Sequence, residues 1–133
     1  MFTGIVSDIG EVMSVAAQGD TLNRIKIACS YPRASIKDGA SICCAGICLT
    51  VTAAGEEHGH TWFTVDAAAE TLALTTAGEW RAGRHINLER ALTFGDELGG
   101  HLVAGHVDGV GEVTAREELP GSARMTFRAP REL

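Results

Sequence analysis

Apolar and polar residues alternate at every second position along most of the chain, which is the pattern of β-strands with one buried face. The alternation is interrupted at Ala45-Gly46, where two short runs meet at a tight turn or a sharp bend. The predicted strands are Gly10–Ala16, Leu22–Cys29, 41–44, 47–52, Thr61–Ala67 and His85–Leu88. Six short strands within about a hundred residues predict an all-β protein, a six-stranded antiparallel Greek-key barrel, with a two-sheet sandwich as the alternative.

A different pattern follows the fifth predicted strand. The run AAAETLALTTAG, residues 67–78, is rich in helix formers and ends on Gly78 in a C-cap position, which predicts a short helix. A single helical turn also fits the residues from Pro32 to Ile36. We therefore expect one or two short helices beside the barrel.

The chain partly repeats its own opening. A shift of 101 residues aligns 2–12 with 103–113 and gives five identities in eleven positions. The identical pairs are Gly4/Gly105, Val6/Val107, Gly10/Gly111, Glu11/Glu112 and Val12/Val113. Further along, RIKI at 24–27 has a counterpart in RMTF at 124–127. A tandem duplication explains both matches.

The duplication predicts a first repeat over residues 1–97 and the beginning of a second, incomplete repeat over 98–133. Two opening strands without the rest of their barrel cannot bury both faces or close an edge. We therefore expect residues 98–133 to pack on the first barrel, to be completed by another chain, or to be poorly ordered.

Composition and charge exclude several classes of protein. Apolar residues make up 45% of the chain and charged residues 21%, which is typical of a globular domain. The formal net charge is −6 and Lys and Arg form no cluster, so neither nucleic acid nor an anionic membrane surface is expected as a partner. No apolar run is long enough to span a membrane, and the N-terminus lacks the features of a secretion signal. We expect a cytoplasmic protein.

Four cysteines are present, Cys29, Cys43, Cys44 and Cys48. Disulfides are not expected, because nothing indicates export. Cys43 and Cys44 are adjacent in a predicted strand and therefore point to opposite faces. A zinc site would have to combine Cys44 and Cys48 with two histidines at 58 and 60, a set that lacks paired CxxC spacing. We expect small buried thiols and no metal.

Five separated motifs give the chain a resemblance to the riboflavin synthases, a family built from lumazine-binding repeats. The motifs are MFTGIV at 1–6, CLTV at 48–51, VD and ETL at 65–66 and 70–72, INLERAL at 86–92, and GDELGGHLVAGHVDG at 95–109. They occur in the order found in the family and extend over the whole chain. The resemblance includes the internal duplication.

The resemblance implies an enzyme, a transferase that dismutates two molecules of 6,7-dimethyl-8-ribityllumazine. One molecule donates a four-carbon unit to the other, giving riboflavin and 5-amino-6-ribitylamino-pyrimidinedione with no metal or organic cofactor. The family also implies a homo-oligomer, trimeric in full-length form, with each site between the barrels of neighbouring subunits. Since the second repeat lacks counterparts of the pocket residues, we expect the chain to bind lumazine or riboflavin but to turn over poorly.

The resemblance also identifies site residues. The pocket of the first barrel is expected at Cys48, Leu49, Thr50, Asp66, Ala67, Ala68, Ala69, Glu70 and Thr71. The segments expected to cover the pockets are Gly4, Ile5 and Val6 in one repeat and Gly105, His106 and Val107 in the other. His106, Cys48 and Ser41 are the catalytic candidates. We expect the two pocket stretches to converge inside the barrel on a slot sized for a bicyclic ring.

Physical chemistry supports some of these roles and offers simpler ones for others. Imidazole titrates near neutral pH, so His106 suits acid–base chemistry, and a glycine lets the backbone approach a flat ring closely. Without the resemblance, Thr50 is an ordinary β-branched strand residue and Cys48 a small buried hydrophobe. Glu70 is likewise an acid favoured at a helix N-terminus.

One departure and two alternative functions remain. The family usually has Asn where this chain has Ala45, before the Gly of the bend, so the local geometry is expected to differ. One alternative is a non-catalytic lumazine or flavin carrier of the same fold, which would not need the proton-transfer residue His106. The other is a flavin-reductase-like barrel, which would need a basic group for a flavin phosphate, and no candidate is evident.

Overall fold

A closed six-stranded barrel forms the main body of the protein in a computed structural model that describes all 133 residues. Its strands are β1 (Asp8–Ala17), β2 (Leu22–Cys29), β3 (Ser41–Cys44), β4 (Ile47–Glu57), β5 (His60–Ala68) and β6 (His85–Arg90). Around the barrel the order is β1-β2-β5-β4-β3-β6, and antiparallel pairing of β6 with β1 closes it. The step from β2 to β5 makes the topology a Greek key. The predicted all-β barrel is confirmed.

Strand alternation fills the interior of the barrel with apolar side chains. Ile25, Ile27, Phe63 and Val65 have no exposed surface and belong to a cluster of 18 buried residues. Trp80, which precedes β6, is the largest fully buried side chain, and its indole N–H has no hydrogen-bond partner. The barrel is therefore packed solid, as is usual for a small closed barrel.

The predicted strands and helix are found, but several predicted boundaries differ: β1 begins at Asp8 instead of Gly10, and β4 continues to Glu57 instead of ending at residue 52. Helix α1 spans Ala69–Leu74, and short 3-10 segments occupy Arg33–Ser35 and Thr76–Glu79. The helix does not end on Gly78. It ends at Thr75, whose extended backbone starts a new turn and whose hydroxyl accepts a hydrogen bond from the Ala77 N–H. A Cβ at Gly78 would lie 2.5 Å from the Leu72 carbonyl oxygen, so the glycine allows close packing against α1.

The turn between β3 and β4 has the left-handed conformation that a two-residue hairpin requires. Ala45 has φ 49° and Gly46 has φ 89°, and positive φ at both central residues is the pattern of a type I′ turn. Glycine adopts this conformation without strain, whereas the Cβ of Ala45 approaches a carbonyl oxygen. The predicted tight turn is therefore present, with a strained residue at its first central position.

Residues after the barrel form a second hairpin whose geometry repeats that of β1 and β2. Strand β7 (Glu112–Leu119) pairs with β8 (Ser122–Arg128) as an antiparallel two-stranded sheet. The pairing register of β1 with β2 shifts between Val12 and Ser14, and that of β7 with β8 shifts between Val113 and Ala115. These positions correspond under the shift of 101 residues, so the bulge recurs at the same place in the repeat.

The two hairpins differ in what covers their apolar face. Val12 and Ile27 are completely buried in the barrel, whereas their counterparts Val113 and Phe127 are 51% and 65% exposed. The β7–β8 hairpin is a separate two-stranded sheet and is not part of a second barrel. The same local sequence pattern therefore forms the same strands without the burial that stabilises them in the first copy.

Replacing Ala45 with Asn is expected to raise the free energy of unfolding by about 0.5–1 kcal/mol, because Asn tolerates the left-handed region better than Ala does. Urea denaturation measures this change. His58 has φ 52° in the turn between β4 and β5 and is itself among the residues enriched there, so His58→Asn is a matched control with a smaller expected gain. A loss of stability in Ala45→Asn would contradict the strain assigned to this turn.

Candidate functional site

The β3–β4 hairpin presents one small polar face to the outside of the barrel. Ser41 lies opposite Thr50 and Cys43 opposite Cys48 in the register of the two strands. Their neighbours along each strand point inward, as the 4% exposure of Leu49 shows. Because side chains alternate across a strand, the four outward residues share one face. The sequence thus places Ser41, Cys48 and Thr50 together with a second thiol.

A segment from the second copy of the opening motif lies on this hairpin. Phe2 and Val103 exchange two backbone hydrogen bonds, with N···O distances of 2.8 and 3.0 Å. Gly105 lies two residues beyond Val103, and its carbonyl oxygen accepts a hydrogen bond from the Cys48 N–H at 2.7 Å. Phe2 is completely buried in this arrangement. The opening segments of both copies are therefore joined to each other, and the second is hydrogen-bonded to β4.

Gly105 permits the close contact between this segment and β4. A Cβ at this position would lie 2.9 Å from Cys48 Cβ, which is closer than real Cβ contacts occur, and 3.2 Å from the Phe2 ring, which is unusually tight. Gly105 also has φ 77°, and Gly4, its counterpart in the first copy, has φ 83°. The left-handed backbone favours glycine at both positions, and at Gly105 the missing side chain also permits the close contact.

A cavity of about 300 Å³ lies between the start of β4, helix α1 and the segment that follows Gly105. Cys48 on β4 and residues of α1 line two of its sides. The third side is the second copy of the opening motif, residues 103–113, which we call the covering segment. The lining residues are Ile47, Cys48, Glu70, Thr71, Leu74, Thr75, Gly105, His106, Val107 and Asp108. The size is at the lower end of the range for small-molecule sites.

The chemistry of the cavity is acidic and rich in hydrogen-bonding groups. Glu70 from the first turn of α1 and Asp108 provide carboxylates, and exposed His106 provides an imidazole. No lysine or arginine lines the cavity. Such a wall can accept hydrogen bonds from hydroxyl and ring N–H groups, whereas it offers no cation for a phosphate.

Six of the residues expected from the resemblance line this cavity, namely Cys48, Glu70, Thr71, Gly105, His106 and Val107. Thr50 is exposed on the same hairpin face, next to Cys48. Ser41, opposite Thr50, lines a separate surface depression beside Arg90. Leu49 and Ala67 lie in the hydrophobic core, because they alternate with outward residues on β4 and β5.

The remaining expected residues lie on two other surfaces. Gly4 and Val6 line a second cavity of about 230 Å³ beside Cys43, and Ile5 is 54% exposed. Ala68 and Ala69 are exposed at the junction of β5 and α1. The opening segment of the first copy therefore does not cover the cavity that contains Cys48.

Asp66 is engaged by a neighbouring strand instead of by the cavity. The Arg24 guanidinium donates two hydrogen bonds to the Asp66 carboxylate, both at 2.8 Å. This hydrogen bonding and the charge of Arg24 hold the pKa of Asp66 below its usual value, against a smaller opposing effect of burial. Asp66 on β5 therefore forms an ion pair with Arg24 on β2, on the outside of the barrel.

The expectation of a slot inside the barrel is wrong. The interior is filled by the buried cluster, whereas the cavity lies at the start of β4, lined by Ile47 and Cys48 together with α1 and the segment that follows Gly105. A six-stranded barrel encloses a space that its own inward side chains fill. Cys48 and Thr71 do converge, but they converge between the barrel wall and the covering segment.

Four lining residues were not predicted from the sequence: Ile47, Leu74, Thr75 and Asp108. Leu74 and Thr75 stand one helical turn beyond Glu70 and Thr71, so the i, i+4 spacing of the predicted helix was a usable signal. Asp108 lies within the GHVDG motif that was assigned only as a cover. Ile47 carried no distinguishing signal, because it reads as an ordinary buried strand residue.

The opening segment of the chain is fixed by one buried carboxylate. Glu89 on β6 is 8% exposed and accepts hydrogen bonds from the Thr3 N–H at 2.6 Å, the Thr3 hydroxyl at 2.7 Å and the Gly4 N–H at 3.0 Å. A carboxylate that accepts several hydrogen bonds is well accommodated even when it is buried. Glu89 therefore holds Phe2 in position for its bridge to Val103.

Neither a metal cluster nor a membrane helix is present. No group of three or more His, Cys, Asp or Glu side chains could hold a metal ion, and no helix is long and apolar enough to cross a membrane. The zinc alternative fails for a geometric reason. Cys44 points into the core and Cys48 away from it, so the two thiols cannot share an ion.

Comparison with known proteins identifies relatives across the whole chain. The family model of the lumazine binding domain matches residues 3–91. The riboflavin synthase of Brucella abortus (strain 2308) is 48% identical over 134 residues, which cover 100% of this chain and 66% of that protein. The riboflavin synthase of Mycobacterium tuberculosis (strain ATCC 25618 / H37Rv) is 45% identical, with 87% of this chain and 56% of that protein covered. The chain thus spans 56–66% of the length of these relatives.

Solved structures of LumP with the same architecture carry a ribityl lumazine or a flavin, and one of them carries the phosphorylated flavin mononucleotide at a TM-score of 0.75 and 27% identity, covering 100% of this chain and 72% of that chain. LumP complexed with 6,7-dimethyl-8-(1'-D-ribityl) lumazine has a TM-score of 0.77 at 26% identity, covering 99% of this chain and 71% of that chain. LumP complexed with riboflavin has a TM-score of 0.78 at 26% identity, covering 100% and 70%. Both comparisons include residues 98–133 as well as the barrel, because nearly the whole chain is covered.

Replacing Gly105 with Ala is expected to detach the covering segment from β4, because the new Cβ would contact Cys48 Cβ at 2.9 Å. Amide hydrogen exchange at Cys48 should then accelerate by about tenfold or more, since its N–H loses the Gly105 carbonyl. Gly121 has φ 71° and a Cβ added there would meet nothing within 4 Å, so Gly121→Ala introduces the same backbone strain without the clash. Equal Cys48 protection in the two variants would contradict this role for Gly105.

Proposed function

This chain belongs to the lumazine-binding domain family, and we propose that it acts as a riboflavin synthase. The proposed reaction converts two molecules of 6,7-dimethyl-8-ribityllumazine into riboflavin and 5-amino-6-ribitylamino-pyrimidinedione. The identities of 48% and 45% to riboflavin synthases support this proposal over the other members of the fold. No metal or organic cofactor enters the proposed reaction.

One observation carries the proposal: the second copy of the opening motif is hydrogen-bonded over Cys48 and encloses a cavity against Glu70 and Thr71. A dismutation requires two identical rings to be held against each other, and orientation of bound reactants is a large catalytic contribution. A site built between a barrel wall and a separate covering segment provides two surfaces for this purpose. Its carboxylates and hydroxyls suit a ribityl chain, which has many hydroxyls and no phosphate.

His106 is the proposed proton-transfer residue. Its imidazole is exposed at the cavity and lies on the covering segment, one residue after the hydrogen-bonded Gly105. A histidine at this place can act as a general acid or base while the Gly105 backbone stays hydrogen-bonded to β4. Cys48 would contact the bound ring from the opposite side. Ser41 and Thr50, on the same hairpin face as Cys48, would extend that surface and bind the ring edge or ribityl hydroxyls.

The proposal includes the domain organisation and the assembly. Residues 1–97 would be the first lumazine-binding repeat and residues 98–133 the beginning of a second. The recurring bulge and the matching φ of Gly4 and Gly105 support a common origin. By the family resemblance, the protein would work as a cytoplasmic homo-oligomer, trimeric in full-length form. Gly4, Ile5 and Val6 would then cover a pocket other than the one that contains Cys48.

A second candidate function is a carrier that binds lumazine or riboflavin without turnover. The similarity to LumP bound to these ligands over 99–100% of this chain favours it. A carrier needs the cavity but not a proton-transfer group, so His106 distinguishes the two functions. Binding without riboflavin formation would support the carrier.

We predict that the purified protein forms riboflavin from 6,7-dimethyl-8-ribityllumazine. The rate should be low unless another chain provides the second pocket. Absorbance of riboflavin over time measures the reaction. His106→Gln should lower the rate about 10²-fold, because general acid–base catalysis typically contributes at least that much. His85→Gln, on the exposed side of β6, is the matched control and should leave the rate unchanged. An unaltered rate in His106→Gln would remove the assigned role.

We also predict that the protein binds riboflavin about tenfold or more tightly than flavin mononucleotide, a difference of about 1.4 kcal/mol. The cavity has two carboxylates and neither lysine nor arginine, so a phosphate group would be repelled. Quenching of flavin fluorescence on titration with protein measures both affinities. The difference should shrink at high salt, because exposed charges are screened. Tighter binding of flavin mononucleotide would contradict the ligand class proposed here.

A further inference from the structure

Two thiols lie side by side on the outward face of the β3–β4 hairpin. Cys43 and Cys48 are directly opposite each other in the strand register. The Cys48 N–H donates to Gly105 rather than to β3, and the Ala45 N–H, two residues beyond Cys43 on the same edge of β3, donates to Asn87 on β6. Cys43 and Cys48 therefore form a non-hydrogen-bonded pair of the hairpin, the kind in which opposite side chains approach most closely.

This placement meets the geometric requirement for a disulfide. Opposite residues in a non-hydrogen-bonded antiparallel pair have Cα atoms about 4.5 Å apart, and disulfides occur at Cα separations of about 4.4–6.8 Å. No other pair of the four cysteines meets it as well. Cys44 is completely buried in the core on the opposite face of β3, and Cys29 lies on β2, which is not adjacent to β3 or β4.

Both thiols are reached from cavities. Cys48 lines the 300 Å³ cavity proposed to hold the ligand, and Cys43 lines the 230 Å³ cavity beside Gly4. Cys48 is the more exposed of the two, whereas Cys43 is 6% exposed and burial raises the pKa of its thiol. A thiolate is the reactive form, so Cys48 is the better site for first attack by a small oxidant and Cys43 the better resolving group.

We propose that Cys43 and Cys48 form a reversible cross-strand disulfide when the protein meets hydrogen peroxide. The Cys48 thiolate attacks one peroxide oxygen, the O–O bond breaks, and the products are a Cys48 sulfenic acid and hydroxide, which takes up a proton to become water. The Cys43 sulfur then attacks the sulfenic sulfur, the S–O bond breaks, and the hydroxyl leaves as a second water with the Cys43 proton. The pair loses two electrons and two protons, and peroxide is reduced to two waters.

The disulfide would act on the ligand site, an effect that rests on the proposed function. The Cys48 Sγ would be drawn along the hairpin face toward Cys43 and would no longer line the 300 Å³ cavity as a free thiol. Cys48 Cβ also packs closely against Gly105, since a Cβ added to Gly105 would lie only 2.9 Å from it. A shift of the Cys48 side chain would therefore move the covering segment. Oxidation should therefore weaken riboflavin binding.

Mass spectrometry of the intact chain under non-reducing conditions tests the disulfide without any ligand. After peroxide treatment and removal of excess oxidant, we expect a loss of about 2 Da that dithiothreitol reverses. The number of free thiols should fall from the four present to two. Cys43→Ala and Cys48→Ser should each abolish the mass loss, and Cys29→Ala, which alters a thiol on a strand apart from the pair, should retain it. Circular dichroism verifies that the variants are folded.

A mass loss that survives in Cys43→Ala, or its absence in the unaltered protein, would overturn the proposal. Fluorescence titration with riboflavin then tests the consequence in the unaltered protein. We expect the dissociation constant to rise about tenfold on oxidation and to return after dithiothreitol. Equal affinity in both redox states would overturn control of the site by this pair. Failure of the reduced protein to bind riboflavin would contradict the proposed function and leave the disulfide result standing.

Discussion

The arrangement of the site depends on a pair of backbone hydrogen bonds between Phe2 and Val103, which hold the two copies of the opening motif against each other. Glu89 fixes the first copy by accepting three hydrogen bonds from Thr3 and Gly4, and the bridge to Phe2 then sets the path of the second. From Val103 the chain reaches Gly105, which accepts a hydrogen bond from the Cys48 N–H at the start of β4, before the pairing of β4 with β5 begins at Val51. A backbone bridge suits this task, because its geometry does not change with side-chain rotamers.

The covering segment converts a barrel wall into a cavity. The barrel itself offers no space for a ligand, since its inward side chains pack a single core. The outward residues of β3 and β4 by themselves form an open surface. The segment around His106 supplies the missing side and helix α1 supplies Glu70 and Thr71. Chemistry is therefore placed on elements that the core holds rigid but does not include, as in many small binding domains.

The β3–β4 hairpin concentrates several properties in few residues. Its left-handed turn at Ala45 and Gly46 fixes the strand register, and the register decides that Cys43, Cys48, Ser41 and Thr50 share the outward face. A slip of one residue would bury these groups and expose Leu49. The same alternation explains why the three cysteines of this hairpin have different environments. Cys44 is sealed in the core, whereas its neighbour Cys43 and the opposite Cys48 remain open to cavities.

Local sequence determined the strands, the short helix and the tight turn, because alternation, helix propensity and glycine placement act over a few residues. The motifs and the repeat also singled out Gly105, His106 and Cys48, which the structure brings to one cavity. Only the tertiary structure decided that the cavity lies between the start of β4 and the segment after Gly105, that Asp66 is paired with Arg24, and that Ile47 and Asp108 join the lining. These facts depend on contacts between segments far apart in sequence. No local pattern encodes which distant backbone will pair with the start of β4.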